Sequence, residues 1–355
     1  MPLSPADRRE LTALRLSAQR ISAPDFERPE DVVRHLLAMQ AQDFGGARWS
    51  IGLRVPTATD ASVLAAIADR RIARSWPMRG TLHFVVPQDL RWTLALSAPR
   101  LCNSSAKRHA ELGITDEHLA TARSVAESLC AGTEVRRDDL LAAFEAAGIP
   151  VGAQRNYHLL WNLSHDGVLV LGAADGKQST YALFDEWIPT SRELSGDEAL
   201  AEFAVRYFTS HGPATIRDFA WWSNQTLGDA RRGLAAIDSQ LESRDWGGET
   251  YWFHRGLEPA PRQTFLLPGF DEFMLGYSDR SAPLAGRDQT LIVPGNNGVF
   301  FSTIVVGGLI AGTWRRAATA KRISVSTEWF GASSSVSKPL KRYGQFVGLP
   351  AELLG

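Results

Sequence analysis

Residues 72–86 read IARSWPMRGTLHFVV. Trp, Phe, Val and Thr give the run strand character, and Met78-Arg79-Gly80 is a turn signal between two short strands. The sequence before it is helical. Residues 4–20 carry an apolar stripe at Leu11, Leu14 and Ala18, with Ser4 as cap and Pro5 at the first helical position. A second helix is expected over 29–41, PEDVVRHLLAMQA, because Val33, Leu36, Leu37 and Gln40 recur at helical spacing; DFGG at 43–46 is read as its stop. A third helix is expected over 60–70 with Asp60 as cap. Helix, helix, helix, hairpin is the order of a winged helix-turn-helix module, a common small fold that does not by itself establish DNA binding.

The same order returns downstream. Helices are expected over 116–129, from Thr133 to Gly148, and over 154–165, followed by a hairpin in GVLVLGAADGKQSTYALF with a wing-like turn at Asp175-Gly176. It returns more loosely at 197–265, where Thr215 caps a helix over 216–222 and a strand pair ends at TYWFHRG. From residue 265 the pattern turns strand-like, with hairpins expected at GNNG (295–298) and in VGGLIAGTWR (306–315). The chain is therefore an α+β protein in four segments. Three are tandem winged helix-turn-helix units at 1–110, 111–192 and 193–262; the fourth, 263–355, is a β-rich, barrel-like domain. The repeat is one of architecture, not of readable sequence.

Composition bounds the function. A chain of 355 residues with 44% hydrophobic and 22% charged residues is globular, and long enough for several domains. No apolar run is long enough to span a bilayer, and the N-terminus does not read as a secretory signal, so a cytoplasmic protein is expected. Cys102 and Cys130 form neither a disulfide framework nor a metal motif. The formal charge of −1 gives no support to a generic nucleic-acid coat. Its distribution is uneven: residues 1–110 hold 16 Lys and Arg against 10 Asp and Glu, and the remainder 22 against 29. That fits an N-terminal part that faces an anion, and equally ordinary fluctuation.

Cofactor signatures are missing. There is no HExxH, Walker A, GxSxG or dinucleotide fingerprint, and the eight histidines show no metal-ligand spacing, so neither a cofactor nor a metal is expected. Two segments stand out. In LLAMQAQDFGGAR (36–48), Gln40 and Gln42 flank one alanine where a helix should end, and Asp43 follows as a cap or supporting residue. Read alone, the pair is a polar helix end or a site. In RSWPMRGTLHFVVPQDLRW (74–92), Arg79, Thr81 and His83 alternate and would share a strand face, which is either a solvated edge or a contact surface.

Together these segments resemble the winged-helix DNA glycosylases of the AlkZ and YcaQ type. The likeness is carried by LLAMQAQDFGGARWSIGLR, ARSWPMRGTLHFVVPQDLRW, NYHLLWNLSHDGVLVLG, GPATIRDFAWWS, LLPGFDEFMLGYSDR and GLIAGTWRR, in family order over roughly 10–345. The resemblance implies three winged-helix units in a C-shaped stack with a C-terminal β domain. It implies excision of N7-alkylated purines, in some members from interstrand crosslinks, by a metal-independent monofunctional glycosylase. The family's catalytic Gln-x-Gln falls on Gln40 and Gln42, which puts the chain nearer the AlkZ branch than the Gln-x-Asp branch. Arg48, Trp49, Asp43, Arg79, Thr81 and His83 are candidate DNA contacts, with core packing the second reading of Trp49. The partner implied is double-stranded DNA with alkylated purines, met by a monomer in general repair or in self-resistance to an alkylating natural product. Two other readings stay open: a transcription regulator, and a relative that binds damaged DNA without cleaving it.

Overall fold

The computed structural model describes residues 3–175 and 178–354. The chain forms two compact units: one is built from residues 1–63 and 200–355, the other from 64–199.

The first unit begins with α1 (Pro5–Ala18), capped by Ser4, whose hydroxyl accepts from the Asp7 N–H at 3.1 Å. Next come α2 (Pro29–Leu36), β1 (Ala38–Gln40) and α3 (Phe44–Arg54). Here the structure departs from the sequence expectation. The helix expected over 29–41 ends at Leu36, because Leu37 takes φ 65°, ψ −52°, a sparsely populated conformation close to a γ-turn. DFGG does not stop a helix. It starts one: Asp43 is the N-cap of α3 and accepts from the Gly46 N–H at 3.0 Å. Gly46 is required there, since a Cβ would lie 2.5 Å from Asp43 Oδ2. The sequence signal was real, but Asp before Gly-Gly was assigned to the wrong helix end.

α4 (Asp60–Ala68) leads into the second unit, where β2 (Ala73–Met78) and β3 (Thr81–Val85) form the expected hairpin. Arg79 and Gly80 both have positive φ, 55° and 65°, as a two-residue turn between right-twisted strands demands. α5 (Pro87–Leu112) and α6 (Asp116–Leu129) follow, then β4 (Val135–Arg136), α7 (Arg137–Ala146), α8 (Ala153–His165), β5 (Leu169–Asp175), β6 (Gln178–Leu183) and α9 (Phe184–Trp187). Within the unit the strands run β3-β2-β5-β6-β4. The wing turn expected at Asp175-Gly176 lies partly outside the described residues. The core joins Trp76 of the hairpin to Leu140 and Phe144 of α7, Leu159 and Leu163 of α8 and Leu169 of β5.

The chain returns to the first unit with α10 (Gly196–His211), α11 (Ile216–Ser223) and α12 (Leu227–Ala235), then the hairpin of β7 (Leu241–Trp246) and β8 (Glu249–His254). Thr215 caps α11 as expected, in a reciprocal box with Asp218. The C-terminal part holds β9 (Thr264–Leu267), short helices α13 (Glu272–Leu275) and α14 (Ser281–Leu284), β10 (Thr303–Val306), β11 (Leu309–Ala318), β12 (Ile323–Trp329), α15 (Ser337–Val347) and β13 (Ala351–Leu353). The sheet order β13-β12-β11-β10-β9 is open, which corrects the barrel-like expectation. β10 and β11 turn at Gly307-Gly308 as read from the sequence. GNNG is instead an irregular 3₁₀ segment at Pro294–Asn296. The C-terminal helix is integral to the unit: Phe346 of α15 packs over Gly52, where a Cβ would lie 2.4 Å from its ring.

In element order the chain repeats helix, strand, helix, helix, hairpin: α2-β1-α3-α4-β2-β3, then α6-β4-α7-α8-β5-β6, then α10, a bridge of Ala214 to Trp252, and α11-α12-β7-β8. The helix α3, unforeseen from sequence, fills the place that the sequence reading gave to α1.

His165 makes the second unit sensitive to acid. It is 6% exposed, its Nδ1 lies 2.9 Å from the Trp161 carbonyl, and its Nε2 is buried without a partner. Burial pushes the imidazole down to about 4, against the opposing pull of that carbonyl and of Asp166. The unfolded chain therefore binds the proton first. Stability is full above the ordinary histidine value and is lost as pH falls from 6.5 toward 4, by up to about 3 kcal/mol. Urea unfolding at pH 7, 5.5 and 4.5 should show this slope, and His165→Phe should lessen it, leaving the share of His35, which burial also pushes down to about 4.

Candidate active site

The break at Leu37 decides how the glutamines are presented. On a helix, residues two apart point to nearly opposite sides. On extended chain they share a side. Gln40 closes strand β1 and Gln42 follows it; Gln40 is half-buried, Ala41 is 0% exposed and Gln42 is exposed. Ala41 is turned into the protein, and Gln42 lies at the surface in the bend that follows the strand. The expectation of a helix end is corrected: the pair sits at a strand end.

The strand is tied to the C-terminal part of its own unit. The Gln40 N–H donates to Glu272 Oε1 at 3.0 Å. Glu272 is 1% exposed, and its Oε2 accepts from the Trp222 indole N–H at 2.9 Å and lies 3.3 Å from His211 Nε2. The preceding residue, Asp271, is equally buried and caps α13 through the Phe273 N–H. It is gripped by Arg54 of α3, whose Nη1 and Nη2 reach its two carboxylate oxygens at 2.9 and 3.0 Å. Arg54 spends its other donors on the Gln19 carbonyl and side chain and on Ser50. A charge taken out of water survives only with this degree of pairing.

The remaining candidates separate into four kinds. Asp43 is a helix cap. Arg48 makes a two-point contact with Asp60, Nε to Oδ1 at 2.6 Å and Nη2 to Oδ2 at 3.2 Å, and lies over the Phe44 ring. Of the two readings of Trp49, DNA contact or core, the structure takes the second: it is fully buried, donates to the Leu266 carbonyl at 2.8 Å and packs on Tyr343 and Phe346, so it has no face to stack on DNA. In the second unit, Arg79 sits in the turn, not on the strand with Thr81 and His83. Its Nη2 lies 3.2 Å from His83 Nε2, and His83 Nδ1 lies 2.7 Å from the Thr81 carbonyl. A guanidinium only donates, so His83 Nε2 accepts and Nδ1–H donates to Thr81. His83 is buried and helps to orient Arg79.

The sequence reading missed Asp271, Glu272, Arg54, His211 and Trp222. FDEF at 270–273 carries the signal, two acids between aromatic residues, inside a segment whose pattern reads as strand. Among the described residues, no group of three or more His, Cys, Asp or Glu is placed to hold a metal, and no helix is long and apolar enough to cross a membrane.

The family model described as DNA glycosylase AlkZ-like matches residues 33–346, nearly the whole chain. The chain belongs to the AlkZ-like DNA glycosylase family. A curated protein of Streptomyces sahachiroi, the "Interstrand DNA cross-link repair glycosylase", is 25% identical over 327 residues, covering 86% of this chain and 87% of that protein. The solved structure of Streptomyces sahachiroi DNA glycosylase AlkZ superposes with a TM-score of 0.80 over 98% of this chain and 99% of that one, at 22% identity. The likeness in structure extends the AlkZ-like fold over the whole of this α+β chain, and the family makes the protein a glycosylase that acts on DNA.

The Arg54–Asp271 pair should be costly to break from one side. Arg54→Met is expected to lower the unfolding free energy by about 3–5 kcal/mol by stranding a buried carboxylate. Adding Asp271→Asn should restore part of the loss, read from urea midpoints of the single and double variants.

Proposed function

We propose that this AlkZ-like glycosylase releases N7-alkylated purines from duplex DNA, with Gln40 and Gln42 holding the attacking water. The observation that carries this reading is the break of the helix before the motif, which leaves Gln40 half-buried at a strand end and Gln42 exposed just beyond it, with Ala41 buried between them.

The chemistry suits amides. An N7-alkylpurine is a cation in the nucleotide and leaves neutral, so its departure needs no general acid. What remains is to place a water against C1′ of a sugar developing positive charge. Each amide carbonyl accepts two hydrogen bonds and is not itself an ion. A pair of them orients a water's protons without burying a charge beside the base. The same logic limits the substrate: unmodified and uncharged purines meet no proton donor here and should be poor substrates.

The three repeats of helix, strand, helix, helix, hairpin support winged-helix units at 1–110, 111–192 and 193–262 with a β-rich segment at 263–355. On this reading the Gln pair lies on the strand of the first repeat. Arg79 belongs to the wing turn of that repeat and is assigned to a DNA phosphate, a contact that sets position and not sequence. The relative that carries the name of a crosslink-repair glycosylase supports extending the scope to bulky N7 adducts and interstrand crosslinks. The protein acts as a monomer on double-stranded DNA.

The test is base release from a duplex with a single N7-methylguanine, under single-turnover conditions in EDTA, followed by cleavage of the abasic product. Gln40→Ala and Gln42→Ala should each slow release at least about tenfold, or roughly 1.4 kcal/mol of barrier, while duplex binding is retained. A duplex with hypoxanthine in place of the lesion should stay intact. Equal release by wild type and both variants would remove the pair from the mechanism; binding with no release by the wild type would leave a damage-binding protein.

A further inference from the structure

Glu272 does more than fill a buried polar cluster. Its Oε1 accepts from the main chain of the catalytic motif itself, the Gln40 N–H, at 3.0 Å. Its other oxygen accepts from Trp222 Nε1 at 2.9 Å and lies 3.3 Å from His211 Nε2. Neither of those partners is free to drift. His211 is fully buried, stacks on Tyr207 at 4.9 Å and 11°, and has its Nδ1 2.8 Å from Ser210 Oγ; its carbonyl accepts from Tyr277 Oη at 2.7 Å. Gly276 closes over the ring, and a Cβ there would lie 2.5 Å from His211 Cδ2. The neighbouring Asp271 is clamped by Arg54. The carboxylate is thus fixed by several elements at once and presents one acceptor to the motif.

Stability alone gives little reason for such a group, since well-packed apolar residues commonly replace buried charges at no loss. Position gives a stronger one. The segment 29–41 has a helical pattern that would carry α2 through the glutamines. The chain leaves the helix through Leu37, at φ 65° and ψ −52°, and a strained residue persists only where its surroundings over-determine it. Glu272 supplies a constraint three residues later, on the very peptide that must be extended for the two carboxamides to share a side. We propose that Glu272 is the positioning residue of the reaction: through its bond to the Gln40 N–H it holds the Gln40-Ala41-Gln42 segment extended and in register with the substrate. This inference rests on the glutamine reading above and deepens it.

The test uses the full-length protein with Glu272→Ala, Glu272→Met, Glu272→Gln, Trp222→Phe, Gln40→Ala and the double variant Glu272→Ala/Gln40→Ala. Each is measured for its thermal midpoint, its affinity for the N7-methylguanine duplex, single-turnover release, and amide exchange of the peptide that contains Gln40. A misplaced catalytic group costs on the order of a hundredfold. Glu272→Ala should therefore slow release by about thirtyfold or more, keep duplex affinity within about twofold, and speed exchange at Gln40. Trp222→Phe removes a bond to the same carboxylate but leaves the Gln40 anchor. It should lower the thermal midpoint and keep release within about threefold. Since Glu272 acts through Gln40, the double variant should be little slower than Gln40→Ala.

If Glu272→Ala does not fold, Glu272→Met, which fills the space without an oxygen acceptor, carries the same comparison; Glu272→Gln keeps an oxygen for the Gln40 N–H and should retain most of the release. Losses in Glu272→Ala and Trp222→Phe that simply follow the thermal midpoint would overturn the proposal. So would losses that multiply in the double variant, or wild-type release by Glu272→Met beside a crippled Gln40→Ala. Wild-type release by Gln40→Ala would instead overturn the glutamine reading, and this inference with it.

Discussion

Arg54 and Asp271 hold the first unit together at the point where its two sequence halves meet. The guanidinium is wholly buried and reaches α1 through Gln19, its own helix through Ser50, and the start of α13 through Asp271. With the charge sealed from water, each partner is obligatory once the other is present. One residue further on, α13 offers Glu272 to strand β1. The polar interior of this unit and the strand that ends at Gln40 are therefore one structure. Apolar packing of Leu16, Phe265, Leu267 and Phe273 surrounds it and keeps water out.

Under the glutamine mechanism proposed above, the choice of amide over carboxylate has a physical logic. A negative charge beside a cationic purine would hold the ground state as well as the transition state, and stabilising both equally does nothing for the chemical step. A carboxamide is neutral and acts only through direction. Its usefulness depends on where the backbone puts it. That moves the burden of catalysis from the acidity of a side chain to the rigidity of the strand that bears it.

Much of this was legible in the sequence. Capping residues Ser4 and Thr215, the turns at Arg79-Gly80 and Gly307-Gly308, and the repeated helix and hairpin order were read from local chemistry that tertiary contacts had no cause to override. The glutamine motif was legible as residues but not as geometry. Val33, Leu36, Leu37 and Gln40 do fit a helix, and only a long-range bond to Glu272 and a strained Leu37 make it a strand. Asp43-Phe44-Gly45-Gly46 failed for a related reason: the same residues stop one helix or cap the next, and the choice lies in the packing of Gly46 on Asp43. Buried charges such as Arg54 and Glu272 leave no mark in a one-dimensional pattern, since their partners lie hundreds of residues away. Trp49 stayed open between two readings, because an aromatic residue near a site reads the same whether it faces DNA or the core.

The first unit is interrupted by the whole of the second, residues 64–199. Gln40 and the Glu272 carboxylate that holds it are 232 residues apart in the chain. At ribosomal speeds of roughly 5–20 residues per second, about 10–50 seconds separate the synthesis of the two. During that interval the nascent chain already carries both glutamines but not their anchor. A chain that stops before residue 272 therefore carries both glutamines without the carboxylate that holds the Gln40 N–H. The long loop closure that slows folding also delays that bond until the later part of the first unit has been made.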